Sequence, residues 1–321
     1  MPSILVIGET ILDFAPAPGG ALYEPVLGGS AFNTARAMGA LGAGVSFSGA
    51  VSGDAWGARF RTALIEQNVD CALLRDSEMP MPLALVSPEG AQGPAFTLYL
   101  AGTAHEDAQA PGALTDGVTH LHASSFHACT PPTGDNMLAL MRNAKGRASI
   151  SFDPNVRPGV LPSRAEAVAL IEERVALADI VKASAQDMAW LYPGLDPLQS
   201  MESWSRMGPR LAVLTQGPGG ATAFSASARV QVSAPAVAVI DTVGAGDAFT
   251  AALLAEMERD GALGPGAPHM EPPALKRWLS FAAAAASWTC GHRGAQAPRR
   301  ETIAALAPGG PAKLVGSTVS D

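Results

Sequence analysis

Only three cysteines occur in 321 residues: Cys71, Cys129 and Cys290, far apart and without a C-x-x-C. That spacing argues against a disulfide framework or a thiolate zinc site, and a reducing cytoplasm is the expected setting. Charge is sparse at 16%, the net charge is −8, and there is no basic run. Neither nucleic acid nor an anionic membrane surface is therefore an expected partner. The first residues lack the basic region of a secretory leader, Gly8-Glu9 breaks their apolar stretch, and no apolar run approaches the length of a membrane span. Two phosphate-binding signatures are missing as well. No G-x-G-x-x-G follows the first predicted strand, which disfavours a dinucleotide oxidoreductase. No G-x-x-x-x-G-K-[ST] occurs, which disfavours a P-loop ATPase. What remains is a chain that is 48% hydrophobic, ample for a large core in one α/β domain or one domain with an appendage.

The stretch Asp241-Thr-Val-Gly-Ala-Gly-Asp247-Ala-Phe-Thr250 organises the rest. Before it, the β-branched run Val237–Ile240 predicts a strand, and after it Ala248–Met257 predicts a helix. Gly244 and Gly246 then fall in a strand-to-helix turn of the kind that calls for positive φ. The first amides of a helix lack intrahelical partners and carry partial positive charge, so the turn is an anion pocket suited to phosphate. Asp247 points a carboxylate into that pocket. It would repel a resting phosphate, and its economical use is to take a proton from a hydroxyl that attacks phosphorus. The bland alternative is a helix capped by Asp247 behind a Gly-rich turn.

Strands and helices alternate along the chain. Ile4–Gly8 predicts a buried parallel strand, with Asp13 just beyond its carboxyl end, where ligands sit in open α/β sheets. Residues 15–27 are either a loop or strands of a small appended sheet. Gly28-Gly29-Ser30-Ala31-Phe32-Asn33 opens a helix ending at Gly42 or Gly44. Its glycines permit close backbone approach to a small ligand and Asn33 offers donors and an acceptor, while a plain N-cap at Ser30 is the alternative. Val45–Val51 is a strand and Ala55–Gln67 a helix. Leu83–Val86 and Phe96–Leu100 form a hairpin with no helical partner, expected in a small lid sheet.

His120 and His122 share one face of a strand with His127 nearby. No Asp, Glu or Cys joins them at ligand spacing, so they are expected as strand and loop histidines without a metal. Ser149–Asp153 is a strand, and Asp153-Pro-Asn-Val-Arg157 leaves polar groups in the crevice. Arg157 could hold a substrate hydroxyl or a phosphate, or form a loop salt bridge. Arg164–Ala176 is a helix, Ile180–Ala183 a strand, and Ser184 caps a helix over Ala185–Leu191. Leu211–Thr215 is a strand leading to the turn Gln216–Gly220, and Ala221–Phe224 and Val230–Ser233 form an edge hairpin. Residues 260–273 are a surface loop, Leu275–Cys290 is a helix with a continuous alanine run, and the Ala/Gly/Pro tail over 304–321 is expected to be partly disordered. The alternation predicts a mostly parallel sheet covered by helices on both faces.

Two of these motifs, Gly28-Gly29-x-x-x-Asn33 and Asp241-Thr-x-Gly-Ala-Gly-Asp247, resemble the paired signatures of the ribokinase-like (PfkB-type) carbohydrate kinases, in the right order and over roughly 4–300. Gly8-Glu9-Thr-Ile-Leu-Asp13-Phe, Asp153-Pro-Asn-Val-Arg157-Pro and Val181-Lys-Ala-Ser184 look most like the fructokinase branch. The resemblance implies a single kinase domain with lid segments at about 15–27 and 83–100, transferring the γ-phosphate of ATP to a sugar hydroxyl with Mg²⁺. It implies Asp247 as base and the amides of Gly244, Ala245 and Gly246 as anion hole. Asp13, Gly29 and Asn33, with Arg157 added, would bind sugar; Ser184, Thr215, Gly217, Gly220 and Gly246 would face the nucleotide. A monovalent cation, K⁺ in the first instance, would sit near Asp241, Val243, Thr289, His292 and Gly294.

The chain departs from the family where Ser184-x-x-Asp187 replaces Asn-x-x-Glu, so that Mg²⁺ would be met through water. It also departs at Ala283, in place of an Asn on the nucleotide side, and at Pro298, in place of a Ser near the cation. D-fructose is the expected sugar, with 2-keto-3-deoxygluconate and ribose as alternatives. A sugar-binding regulator on a kinase scaffold is the alternative of another class, disfavoured because binding alone needs no base. A homodimer through the lid is the expected assembly.

Overall fold

The computed structural model describes residues 2–17, 22–90, 93–267 and 270–306. The chain runs through β1 (Ile4–Ile7), β2 (Ile11–Pro16), β3 (Tyr23–Gly28), α1 (Ser30–Ala40), β4 (Val45–Ser52), α2 (Ala55–Ile65) and β5 (Leu74–Ser77). A hairpin of β6 (Leu83–Gly90) and β7 (Gly93–Tyr99) leads to β8 (His120–Ser124), α3 (Thr133–Ala144), β9 (Ser149–Asp153), α4 (Arg164–Leu177) and β10 (Ile180–Ser184). Then come α5 (Ala185–Leu191), α6 (Pro197–Trp204), β11 (Leu211–Thr215), β12 (Ala221–Ser225), β13 (Arg229–Val232), α7 (Ala245–Arg259), α8 (Pro272–Cys290) and α9 (Arg300–Leu306).

The main sheet has the order β13-β12-β11-β10-β9-β8-β1-β4-β5. It is parallel from β11 across to β5, and β12 and β13 add an antiparallel edge. Its strands are apolar on both faces because both faces are covered. Ile4 and Val6 pack with α1, α2, α7 and α8, while Leu5 and Ile7 pack with α3, α4, α5 and α6. The alanine run of α8 lies in the first cluster beside Ala251, Ala252 and Ala255 of α7, and these small side chains let the two helices lie close. A second, smaller sheet has the order β3-β2-β6-β7. Residues 15–17 and 22–27 thus include strand residues, whereas 18–21 lie outside the described residues, as does the tail beyond Leu306. No helix of the described residues is long and apolar enough to cross a membrane.

Several expectations need correction. Val237–Ile240 is not a strand: Val239 and Ile240 are 64% and 66% exposed, and the segment joins no ladder. Its end is instead pinned to the Cys290 carbonyl by the amides of Ile240 (2.8 Å) and Asp241 (3.2 Å). A β-branched run needs a neighbouring edge to pair with, and none is supplied here. Asp13 does follow β1, but within a strand of the smaller sheet, β2, opposite Val26 of β3. Gly246 is inside α7, and only Gly244 takes positive φ. Ser30 does not cap α1: Gly29 is the N-cap, and the serine side chain is used elsewhere.

Candidate active site

The site is built around the first turn of α7. Gly244, its N-cap, has φ +78°, and a Cβ there would fall 2.4 Å from the Ala295 Cβ. Both the backbone conformation and the space therefore require glycine. Ala245, Gly246 and Asp247 follow at the helix positions whose amides lack intrahelical acceptors, although Ala245 reaches the Thr242 carbonyl at 3.3 Å. Asp247 does not cap its own helix. Its Oδ1 accepts from the Ser30 hydroxyl at 2.7 Å and its Oδ2 from the Asn33 carboxamide at 2.9 Å, so α1 fixes both oxygens. Burial pushes the Asp247 carboxyl above the usual range; the Ser30 and Asn33 bonds and the charge of Lys182 oppose this, and Asp153 adds to it.

The Gly28-Gly29 pair exists for two close approaches. A Cβ on Gly28 would lie 2.1 Å from the Asp13 Oδ2, and one on Gly29, at φ +107°, would lie 2.5 Å from the Glu9 carbonyl. The Ser30 amide donates to Glu9 Oε1 at 2.8 Å. Glu9, Asp13 and Asp247 are thus gathered around the start of α1. Burial raises Glu9 to about 7, with Asp247 contributing. Burial likewise raises Asp13 to about 7, with Arg157 pulling it down and Asp247 and Glu9 pushing it up. Arg157 lies over the Phe96 ring at 5.4 Å and donates to the carbonyls of Asn155 and Val156, so it is the cation beside Asp13 rather than a partner in a loop salt bridge. Asp13, Asn33, Asp247 and Arg157 are brought together, with Gly29 in the adjoining turn.

The residues expected to face a nucleotide form a neighbouring group. Ser184 and Thr215 are paired at the carboxyl ends of β10 and β11. Ser184 caps α5 in a reciprocal box with Asp187. Gly217 (φ +54°) and Gly220 (φ +85°) bound the turn after β11, where a Cβ at 220 would strike the Val232 carbonyl at 2.0 Å. Lys182, two residues before Ser184, joins this group to the α7 turn: a Cβ on Gly246 would meet its Nζ at 3.3 Å.

Around the expected cation position, Asp241 accepts from the Val243 amide at 3.0 Å and from the Gly294 amide at 2.8 Å, pinning two loops side by side. The His292 amide bonds the Thr289 carbonyl, whereas the His292 ring bonds the Trp288 carbonyl and stacks on Trp288 at 3.9 Å. His120 and His122 are buried and bond Ser149 and Ser151.

Sequence reasoning does not reach Ser30 as a partner of Asp247, Glu9 as a third carboxyl of the cluster, or Lys182. The first pairing spans 217 positions, and no local signal could have announced it. Lys182 carries a local signal, since a lysine inside a four-residue apolar strand demands an explanation.

The chain is 33% identical over 266 residues to a fructokinase of Rhizobium leguminosarum bv. trifolii, covering 81% of each chain. In fold it is similar to a fructokinase from Vibrio cholerae O395 solved with fructose, ADP and calcium (TM-score 0.81, 24% identity, 96% of this chain and 99% of that one). It is also similar to an aminoimidazole riboside kinase from Salmonella enterica (TM-score 0.80, 24% identity, 94% of this chain and 98% of that one). The family model of the pfkB family carbohydrate kinases matches residues 1–302, and the chain belongs to that family.

Proposed function

We propose that this member of the family is an ATP-dependent kinase acting on a neutral ketohexose, D-fructose in the first instance, with Asp247 as the base. The observation that carries the reading is the Asp247 carboxylate, held by Ser30 and Asn33 at the amide-rich start of α7. Asp247 takes the proton of a primary sugar hydroxyl as that oxygen attacks the γ-phosphorus. The bond from phosphorus to the β,γ-bridging oxygen breaks and ADP leaves. The amides of Gly244, Ala245 and Gly246 take charge from the transferring group. Asp13, Gly29, Asn33 and Arg157 hold the sugar; Ser184, Thr215, Gly217, Gly220 and Gly246 face the nucleotide.

Direct ligation of Mg²⁺ by Asp187 does not fit. One of its oxygens accepts from the Val156 amide and the other from the Ser184 amide and hydroxyl, so Asp187 would meet Mg²⁺ only through water. The loops pinned by Asp241 fit a monovalent cation held largely by carbonyls of Val243, Thr289, His292 and Gly294, which would add positive charge behind the anion hole. The smaller sheet supplies Asp13 and is read as a lid that excludes water. Its outer face exposes Tyr23, Leu83, Leu85 and Tyr99, which suits a homodimer, and sedimentation at micromolar concentration tests it.

Charge favours a neutral sugar over a keto-acid. Glu9, Asp13 and Asp247 already oppose one another's ionisation, and a substrate carboxylate would add a further anion with Arg157 as its nearest relief. ADP release is measured with fructose, 2-keto-3-deoxygluconate and ribose side by side. The highest kcat/KM is expected for fructose. A tenfold preference for the keto-acid would reassign Arg157 as a carboxylate clamp, and binding without turnover on every sugar would favour a regulator.

A further inference from the structure

Lys182 is a charged side chain buried in the main sheet beneath the α7 turn. It stands in β10 with 5% of its surface exposed. Its Nζ is 2.6 Å from Asp153 Oδ2, in the adjacent strand β9, and the Asp153 oxygen is also approached by the Thr250 hydroxyl at 3.3 Å. Thr250 lies one turn along α7 from Gly246, whose carbonyl its hydroxyl bonds at 3.1 Å. The ammonium is therefore wedged between the ion-pair partner Asp153 and the first turn of α7.

A salt bridge this deep is weak evidence for stability, because desolvation cancels much of the attraction. A packed apolar pair on two central strands would serve a purely structural purpose as well. The placement has a different logic once the charges are counted. Asp247 faces Ser30 and Asn33 from α1, Glu9 after β1, Asp13 from β2, Asp153 from β9 and Lys182 from β10, with Asp187 of α5 behind Lys182. Every titratable neighbour but Lys182 is a carboxyl, and Arg157 stands beyond Asp13. Burial alone would lower the Lys182 pKa, but Asp153 first, then Asp187 and Asp247, more than reverse this, and it stays protonated.

We propose that Lys182 is a positioning residue for phosphoryl transfer, a fixed internal cation behind Gly246 that keeps Asp247 ionised and lends positive charge to the anion turn. The Asp153 carboxylate orients the ammonium and the Thr250 hydroxyl ties that pair to α7. The inference rests on the assignment of Asp247 as base. It differs from the anion hole itself, which is made of backbone amides and would survive removal of the side chain.

The test compares D153N with the double variant K182M/D153N, using whichever sugar the wild type turns over. The double variant leaves no unpaired charge of this pair buried, whereas D153N leaves Lys182 to Asp187 and Asp247 as counter-charges, and melting temperatures check that both fold. With Asp187 and Asp247 still facing the ammonium, D153N is expected to keep Lys182 charged and to retain kcat within about tenfold. The double variant lacks it and is expected to lose about 10²–10³ in kcat, the scale of removing one preorganised charge stabiliser, with KM for the sugar little changed. Its acid limb in the pH profile of kcat/KM should also move up by roughly one unit relative to D153N, as Asp247 loses its cation. A D153N-to-double kcat ratio of about thirtyfold or more with a shifted limb supports the proposal. A smaller ratio, or acid limbs at the same pH, overturns it and leaves Lys182 as a neutraliser of Asp153. D247N run alongside separates the two failures: an active D247N removes the base, whereas an inactive D247N beside a fully active double variant removes only Lys182.

Discussion

Replacing Asp247 with Asn tests the base at little cost to the fold. The carboxylate accepts one donor on each oxygen, from Ser30 and Asn33. The amide substitutes a donor for one acceptor, and only one neighbour has to adapt. The Ser30 hydroxyl can turn to accept, and the Asn33 carboxamide can flip to present its buried Oδ1, which has no partner. Removing the ionised group also relieves the burial that pushes its pKa up. Melting temperature at neutral pH should therefore hold or rise. Catalysis should fall by about 10²–10⁴, or about 3–5 kcal/mol of barrier, because a carboxamide cannot take the hydroxyl proton. A coupled ADP-release assay gives kcat, calorimetric titration with sugar gives binding, and a thermal scan gives folding. A folded variant that keeps more than about a tenth of the wild-type kcat would refute the assignment, however well the geometry suits it.

Gly244→Ala should lower the melting temperature by about 3–6 °C through positive φ and the Ala295 clash, and cut kcat at least tenfold. Gly42→Ala, with φ +86° and no atom within 4 Å of its Cβ, should destabilise slightly without touching turnover, and an equal kcat loss in both would undo the turn argument. Glu9 has its pKa raised to about 7, so its contribution to stability is present below its unfolded value and is lost as pH rises through about 7. Glu9→Gln should therefore gain melting temperature relative to wild type from pH 5 to 7 and level off above. A constant offset across that range would contradict the raised pKa. If the Asp241 loops hold a monovalent cation, exchanging K⁺ for a bulky organic cation should lower kcat with the melting curve shifted in parallel. Identical curves and rates in both salts would remove that site.

The parts legible in the sequence are those whose reason is local. β1, β10 and β11 are short, mainly apolar runs and β9 alternates Ser-Ile-Ser-Phe, each closed by a polar residue or a turn signal, and each falls in the main sheet. The Gly-x-Gly-Asp turn and its helix are contiguous, and so is the box of Ser184 with Asp187. α3 carries apolar residues at Met137, Leu140, Met141 and Ala144, a helical spacing that was available but masked by the preceding Thr-Pro-Pro-Thr-Gly. α6 opens on Asp196-Pro197, an equally local signal. β5, with the sequence Leu-Arg-Asp-Ser, has no strand pattern, and only pairing with β4 makes it one. Val237–Ile240 is the reverse case, a strand pattern without an edge to meet it.

The site divides along the same line, and the division explains its chemistry. A base needs an orientation and a charge state, and neither is local to the motif that contains it. Orientation comes from α1, whose Ser30 and Asn33 reach across to Asp247. Its charge state depends first on burial and, in the proposal above, on Lys182 and Asp153 of β10 and β9 beneath the turn. Burial first, and after it the mutual repulsion of Glu9, Asp13 and Asp247, makes ionising these carboxyls together unfavourable. A neutral sugar relieves that strain by hydrogen bonding to either form of a carboxyl, whereas an anionic one compounds it. On the proposed assignment, substrate choice and base activation would be two consequences of one charge balance, with Arg157 and Lys182 as the two cations beside it.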